Sequence, residues 1–169
     1  MTQPASIADS VVLSLSEWHV TDDPDLVLMC LGLGSCVALC LHDPIARIGG
    51  MAHMVLPDSS SGRIMGQNAK FVDLAIPMLV EQMQAAGAIR SRLRIKIAGG
   101  ARMLSGPAFA GTLDVGARNL DATHVALERL HLRLTVNAEE IGGTHGRTVR
   151  LCVGSGEVTV STGGGTHEW

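Results

Sequence analysis

Two residues of this 169-residue chain have the types and spacing for nucleophilic chemistry, Cys36 and His53. A tight glycine turn over Gly32–Ser35 delivers the cysteine, and two apolar runs then flank the turn signal Asp43-Pro44. A hairpin centred between Pro44 and Ile45 sets Cys36 opposite His53. Directly opposed residues on antiparallel strands hold their Cβ atoms about 4.5–5.5 Å apart. At that spacing a thiol and an imidazole can act as nucleophile and base. A bulge in the turn would shift the pairing by one residue.

A cysteine among apolar neighbours is ordinarily an inert core residue. Three features separate Cys36 from that case: the glycine turn before it, the imidazole at hairpin spacing, and the backbone N–H groups of Gly34, Ser35 and Cys36. A tight turn can aim those amides one way to hold an oxyanion. A neighbouring imidazole draws a thiol toward the reactive thiolate. The other histidines have less support: His42 edges a turn, His124 and His131 fall on a helical stretch, His145 is in a glycine-rich loop, and His19 and His167 flank exposed segments. A zinc site from Cys36, Cys40, His42 and His53 is the competing chemistry, but Cys-x3-Cys-x-His along one strand sets ligands in a row, far from tetrahedral. Gly-Leu-Gly-Ser lacks the Lys-Ser/Thr of a P-loop and the third glycine of a dinucleotide fingerprint. No metal and no organic cofactor is expected.

The elements that must position this pair read as follows. Val11–Ser16 alternates weakly as a first strand, and Leu26–Leu31 is a short buried run. Cys36–Leu41 is a strand with a small face (Cys36, Ala38, Cys40) and a large one (Val37, Leu39, Leu41). The large face predicts a core; the small face predicts a cleft or a second layer. Ile48–Leu56 returns, and Asp58–Gly66 is a Ser/Gly-rich loop. Asn68 is placed to cap a helix over 69–86, with Gly87 closing it and Pro77 expected to kink it. Arg92–Ala98 alternates, with Leu93, Ile95 and Ile97 inward. Its basic stripe, Arg90, Arg92, Arg94 and Lys96, reads as a solvated face or as a dock for an acidic partner. A second helix is expected over 116–131, burying Ala117, Leu120, Leu127 and Leu130. A strand over 135–138 follows, then a Gly-rich loop over 141–147. Residues 148–153 and 157–161 form a hairpin across Gly154–Gly156.

The pattern is α+β: mixed, largely antiparallel sheets with two main helices packed outside, in one domain over 1–169. Residues 1–10 and 162–169 are expected to be disordered. Hydrophobic residues make up 46% of the chain, enough for a sizeable core. The net charge of -3 and four aromatic residues speak against a nucleic-acid binder. No basic leader opens the chain, and the longest uncharged apolar run, Leu26–Leu41, is too short and glycine-broken for a membrane span. Cys30, Cys36, Cys40 and Cys152 read as reduced thiols of a cytoplasmic protein.

Several separated stretches resemble one family. Leu31–Ala38, Asp43-Pro44, Gly50–Pro57, Phe71–Pro77, Lys96–Ala101, Gly116–Asn119 and Gly142–Val149 together look like the signature of the chemoreceptor glutamine deamidases, the CheD family, over roughly residues 10–161. The resemblance implies a layered α/β fold shared with toxin deamidases and a protein-glutamine glutaminase acting on methyl-accepting chemotaxis receptors. It gives Cys36 the nucleophile's place and His53 the base's. The family's third member is a threonine six residues before the cysteine, where this chain has Cys30. A thiol is a weaker hydrogen-bond partner than a hydroxyl, so three outcomes stand: Cys30 substitutes, another group orients His53, or binding outlasts activity. In the last case the chain is a regulatory module for receptors and a CheC-type phosphatase, the partner the family also implies.

Overall fold

The computed structural model describes residues 9–60, 62–66, 68–111, 113–133 and 139–168. In chain order its elements are β1 (Ser10–Val12), β2 (Trp18–Thr21), β3 (Val27–Leu33), β4 (Val37–Asp43), β5 (Ile48–Met54), α1 (Val72–Ala85), β6 (Arg94–Gly99), α2 (Val115–Arg129), β7 (Glu139–Ile141), β8 (Arg147–Cys152), β9 (Val158–Thr162) and β10 (Gly165–Glu168). Two five-stranded sheets result, ordered β1-β3-β8-β9-β10 and β2-β5-β4-β6-β7. The β1/β3 and β6/β7 pairs are parallel; the other neighbours are antiparallel. The expected α+β class, with two helices and mixed sheets, is what forms.

The two-faced character of β4 sets the layering. Its large residues, Val37, Leu39 and Leu41, pack with Ile76, Leu79 and Met83 of α1 and Leu127 of α2. Its small residues, Ala38 and Cys40, meet Leu28, Leu33, Val149 and Leu151 of the other sheet. The second sheet is therefore central, with helices on one side and a sheet on the other, and every residue of β4 and β5 is buried. Each such aliphatic side chain contributes about 1.5–3 kcal/mol on burial.

That covering sheet corrects the reading of the basic stripe. Lys96 is buried, and its ammonium donates to the Gly156 carbonyl at 3.2 Å. Arg92 pairs with the buried Asp43 at 2.7 Å, and Arg90 donates to the Leu130 carbonyl. Of the four cations only Arg94 has the exposure a solvated stripe requires. Neither a solvated face nor a basic dock forms, because what alternation marks as outward faces a second layer.

The hairpin register also differs. Ala38, not Cys36, lies opposite His53, and the ladder runs from Val37↔Met54 to Asp43↔Ile48. The connection takes four residues. Asp43 Oδ1 accepts the amides of Ile45 and Ala46 at 2.9 and 3.0 Å, and Arg47 returns the chain with a positive φ of 55°. The turn centre moves by one residue, so the Cys36–His53 relation becomes diagonal on the same face.

Smaller differences share this origin in tertiary contact. α1 begins after Phe71 without a side-chain cap. The preceding segment serves the sheet end instead: the amides of Val55 and Leu56 both donate to the Lys70 carbonyl, and Asn68 accepts the Lys70 amide locally. The α1 helix continues through Pro77. On α2, Ala117 is exposed, and the buried line is Gly116, Asn119, Thr123, Ala126 and Leu127. β2 was not expected; it pairs with β5. Residues 162–169, expected to be disordered, instead supply β10 over Gly165–Glu168, paired to β9. Of residues 1–10, Ser10 opens β1 and 1–8 lie outside the described residues, as does the strand expected over 135–138.

Candidate active site

The site is built where β3 hands over to β4. The connection Gly34–Cys36 has all three of its carbonyls held by the scaffold. Gly34 O accepts the Ala101 amide at 2.9 Å, and Cys36 O accepts the Gly100 amide at 2.8 Å. Ser35 O accepts Nδ2 of Asn119 at 2.9 Å. Among the described residues, the amides of Gly34, Ser35 and Cys36 donate to no backbone carbonyl. With its three carbonyls held by the scaffold, the loop keeps these amides as donors of the kind that hold an anion.

This approach of β6 to the loop depends on Gly99. Its φ is +113°, and a Cβ there would lie 2.2 Å from the Cys36 carbonyl oxygen. Glycine alone admits both the backbone conformation and the contact.

His53 is buried near the end of β5, on the face between the sheets. Its backbone is tied to the 16–17 turn: His53 N–H donates to Glu17 O, and Ser16 N–H donates to His53 O. Its ring Nδ1 lies 3.1 Å from the Leu13 carbonyl. A carbonyl only accepts, so Nδ1 carries the proton and the neutral ring keeps its lone pair on Nε2. Diagonal neighbours on an antiparallel pair are separated by about 7–8 Å, within reach of long side chains.

The Cys36 thiol is half-buried and packs against the cluster between the sheets. Burial pushes its pKa above the ordinary 9.0, while its own backbone amide favours the thiolate and partly offsets this. The net shift favours the neutral thiol over the thiolate.

Cys30 lies in the same layer, on β3. It is fully buried, and its thiol donates to the Met51 sulfur at 3.5 Å. Burial, with Cys40 and Cys36 nearby, holds it far toward the neutral thiol. Its hydrogen bond goes to Met51, and the imidazole's goes to Leu13. The His42 ring turns to the Val153 carbonyl at 2.9 Å. Among the described residues, no group of three or more His, Cys, Asp or Glu side chains is arranged to hold a metal ion, and no helix is long and apolar enough to cross a membrane.

Beside Ser35 opens a cavity of about 190 Å³, whose rim includes Met103, Leu104 and Leu113. All three are exposed, and Met103 lies directly against Gly34.

Three contributors escaped the sequence reading. The Leu13 carbonyl is a backbone group, and no side-chain pattern announces it. Gly99 reads as a strand end. Asn119 left one trace, its place in the Gly116–Asn119 stretch of the family signature.

The fold is a layered α+β scaffold with a cysteine directly before β4 and a histidine near the end of β5, set diagonally on one face. The family "CheD chemotactic sensory transduction" matches residues 55–162, beginning two residues after His53. A protein of Symbiobacterium thermophilum named "Probable chemoreceptor glutamine deamidase CheD" is 51% identical over 160 residues, covering 92% of this chain and 94% of that one. Proteins with the same name from Moorella thermoacetica and Desulfitobacterium hafniense are 43% and 40% identical. They cover 90% and 92% of this chain, and 90% and 95% of their own lengths. The chain belongs to the CheD family.

Proposed function

We propose that this chain is a protein-glutamine deamidase that converts glutamine side chains of chemotaxis receptors to glutamate, with Cys36 as nucleophile and His53 as base. Family membership supports the activity. The single observation that carries the residue assignment is the His53 Nδ1–Leu13 carbonyl bond, which gives the imidazole the tautomer a general base requires.

His53 Nε2 takes the proton from Cys36 Sγ as the thiolate attacks the carboxamide carbon. The oxyanion forms against the amides of Gly34, Ser35 and Cys36. The C–N bond breaks, and the imidazolium gives its proton to the departing ammonia, leaving a thioester on Cys36. His53 then takes a proton from water, the hydroxide attacks the thioester carbon, and the thiol is regenerated as glutamate leaves. The orienting part that family resemblance gives to a third side chain falls to Leu13, and Cys30 acts from the core by packing on Met51. The reaction needs no metal or organic cofactor.

Incubation of a receptor cytoplasmic fragment with the protein, followed by peptide mass spectrometry, tests this. The expected result is amide-to-acid exchange at glutamine with wild type and none with Cys36→Ala. Absence of exchange with folded wild type, or equal exchange with Cys36→Ala, overturns it. Receptor binding that survives without any exchange would instead mark a regulatory module.

A further inference from the structure

Asn119 sits in the middle of α2, fully buried. Its side-chain Nδ2 donates twice, to the Ser35 carbonyl at 2.9 Å and to the Val55 carbonyl at 2.9 Å. Both acceptors are carbonyls, which fixes the orientation of the carboxamide. Its Oδ1 is buried and has no partner among the described residues. A polar group held with an unsatisfied acceptor costs stability, so the donors carry the reason for an amide here.

The two acceptors belong to the two halves of the site. Ser35 directly precedes Cys36, and Val55 follows His53 by two residues. The β4/β5 ladder ends at Val37↔Met54. Beyond it the chains part: Cys36 O goes to Gly100, and the Val55 amide goes to Lys70. Asn119 spans the opening where the next rung would lie. The helix is brought there by contact with β6's exit, since a Cβ on Gly116 would lie 2.4 Å from Ala101 O and 2.5 Å from Gly100 O. Those residues are the ones whose amides hold Gly34 and Cys36.

We infer that Asn119 is a positioning residue for deamidation: its carboxamide fixes the separation between the Cys36 loop and the His53 strand. The inference rests on the deamidase reading above. Displacement of reacting groups by about 1 Å costs on the order of 100-fold in rate.

Thr123 provides the control. It is fully buried one turn on, and its hydroxyl donates to the Asn119 backbone carbonyl at 2.7 Å, so Thr123→Ala removes packing beside Asn119 without touching the carboxamide. Expected for Asn119→Ala is a fall in kcat of about 100-fold with KM nearly unchanged, while Thr123→Ala keeps wild-type kcat. A substrate-independent arm separates this from the deamidase reading: alkylation of Cys36 by iodoacetamide at neutral pH, followed by peptide mapping. His53→Gln should slow alkylation in the wild-type background and have no further effect beside Asn119→Ala. Wild-type kcat in folded Asn119→Ala, equal losses in Asn119→Ala and Thr123→Ala, or an undiminished His53→Gln effect overturns the inference. Asn119→Ser, which keeps one donor, should fall between wild type and Asn119→Ala. Failure of both Asn119 variants to fold where Thr123→Ala folds would make the residue a folding determinant and also overturn it.

Discussion

The Leu13 backbone carbonyl stands 3.1 Å from His53 Nδ1, so a strand-end peptide group of one sheet orients the imidazole carried by the other. Leu13 is itself fixed, its amide donating to Met29 O at 2.7 Å. The neutral ring should therefore be the Nδ1–H tautomer, and nitrogen-15 NMR of the histidine ring should find Nε2 unprotonated. His53→Gln should lower kcat by about 100- to 10,000-fold with the fold intact. An Nε2–H tautomer in the resting protein would refute the assigned role.

Because the imidazole takes its orientation from Leu13, Cys30 should matter to packing more than to rate. Cys30→Ala removes a fully buried thiol and its contact to Met51. Thermal denaturation should show a loss of about 1–2 kcal/mol, in the range of small core truncations, with kcat within about threefold of wild type. A collapse of kcat at unchanged KM in a folded variant would give Cys30 the orienting part after all.

Gly99→Ala should damage stability and turnover together. The new methyl would meet the Cys36 carbonyl oxygen in a backbone conformation with φ +113°. Strain of this kind costs about 1–3 kcal/mol, and the carbonyl that must yield belongs to Cys36, the proposed nucleophile. Urea denaturation with a parallel deamidation assay checks both. Normal kcat in this variant would show that the loop tolerates displacement.

Acid should loosen the β4–β5 hairpin through Asp43. Burial alone would raise this carboxyl, but the amides of Ala46, Ile89 and Ile45 and the Arg92 guanidinium outweigh it and hold it well below the usual 3.8. Its stabilising contribution is thus complete above that value and fades as pH falls below it. Urea midpoints should drop on acidification below about pH 4. Asp43→Asn should be less stable at pH 7, because it leaves Arg92 without its charge partner, and should lose much of that acid slope. An unchanged slope would move the acid sensitivity to another carboxylate.

The amino-acid sequence by itself determined the elements around Cys36. The glycine turn, the two-faced strand after it and the apolar return strand carrying His53 are local patterns, and period-two alternation states which residues share a face. The β8–β9 hairpin and the existence of both helices were legible for the same reason. Tertiary structure decided what each face meets. Alternation marks Lys96 as outward, yet a sheet built largely from distant segments covers it. Only the folded turn, with Asp43 capping it and Arg47 at positive φ, decided that His53 lies opposite Ala38. The orienting carbonyl of Leu13 and the bridging amide of Asn119 reach the site from segments 40 and 64 or more residues away in sequence. Such contacts follow from how layers stack, a property of the whole chain that no local pattern of side chains encodes.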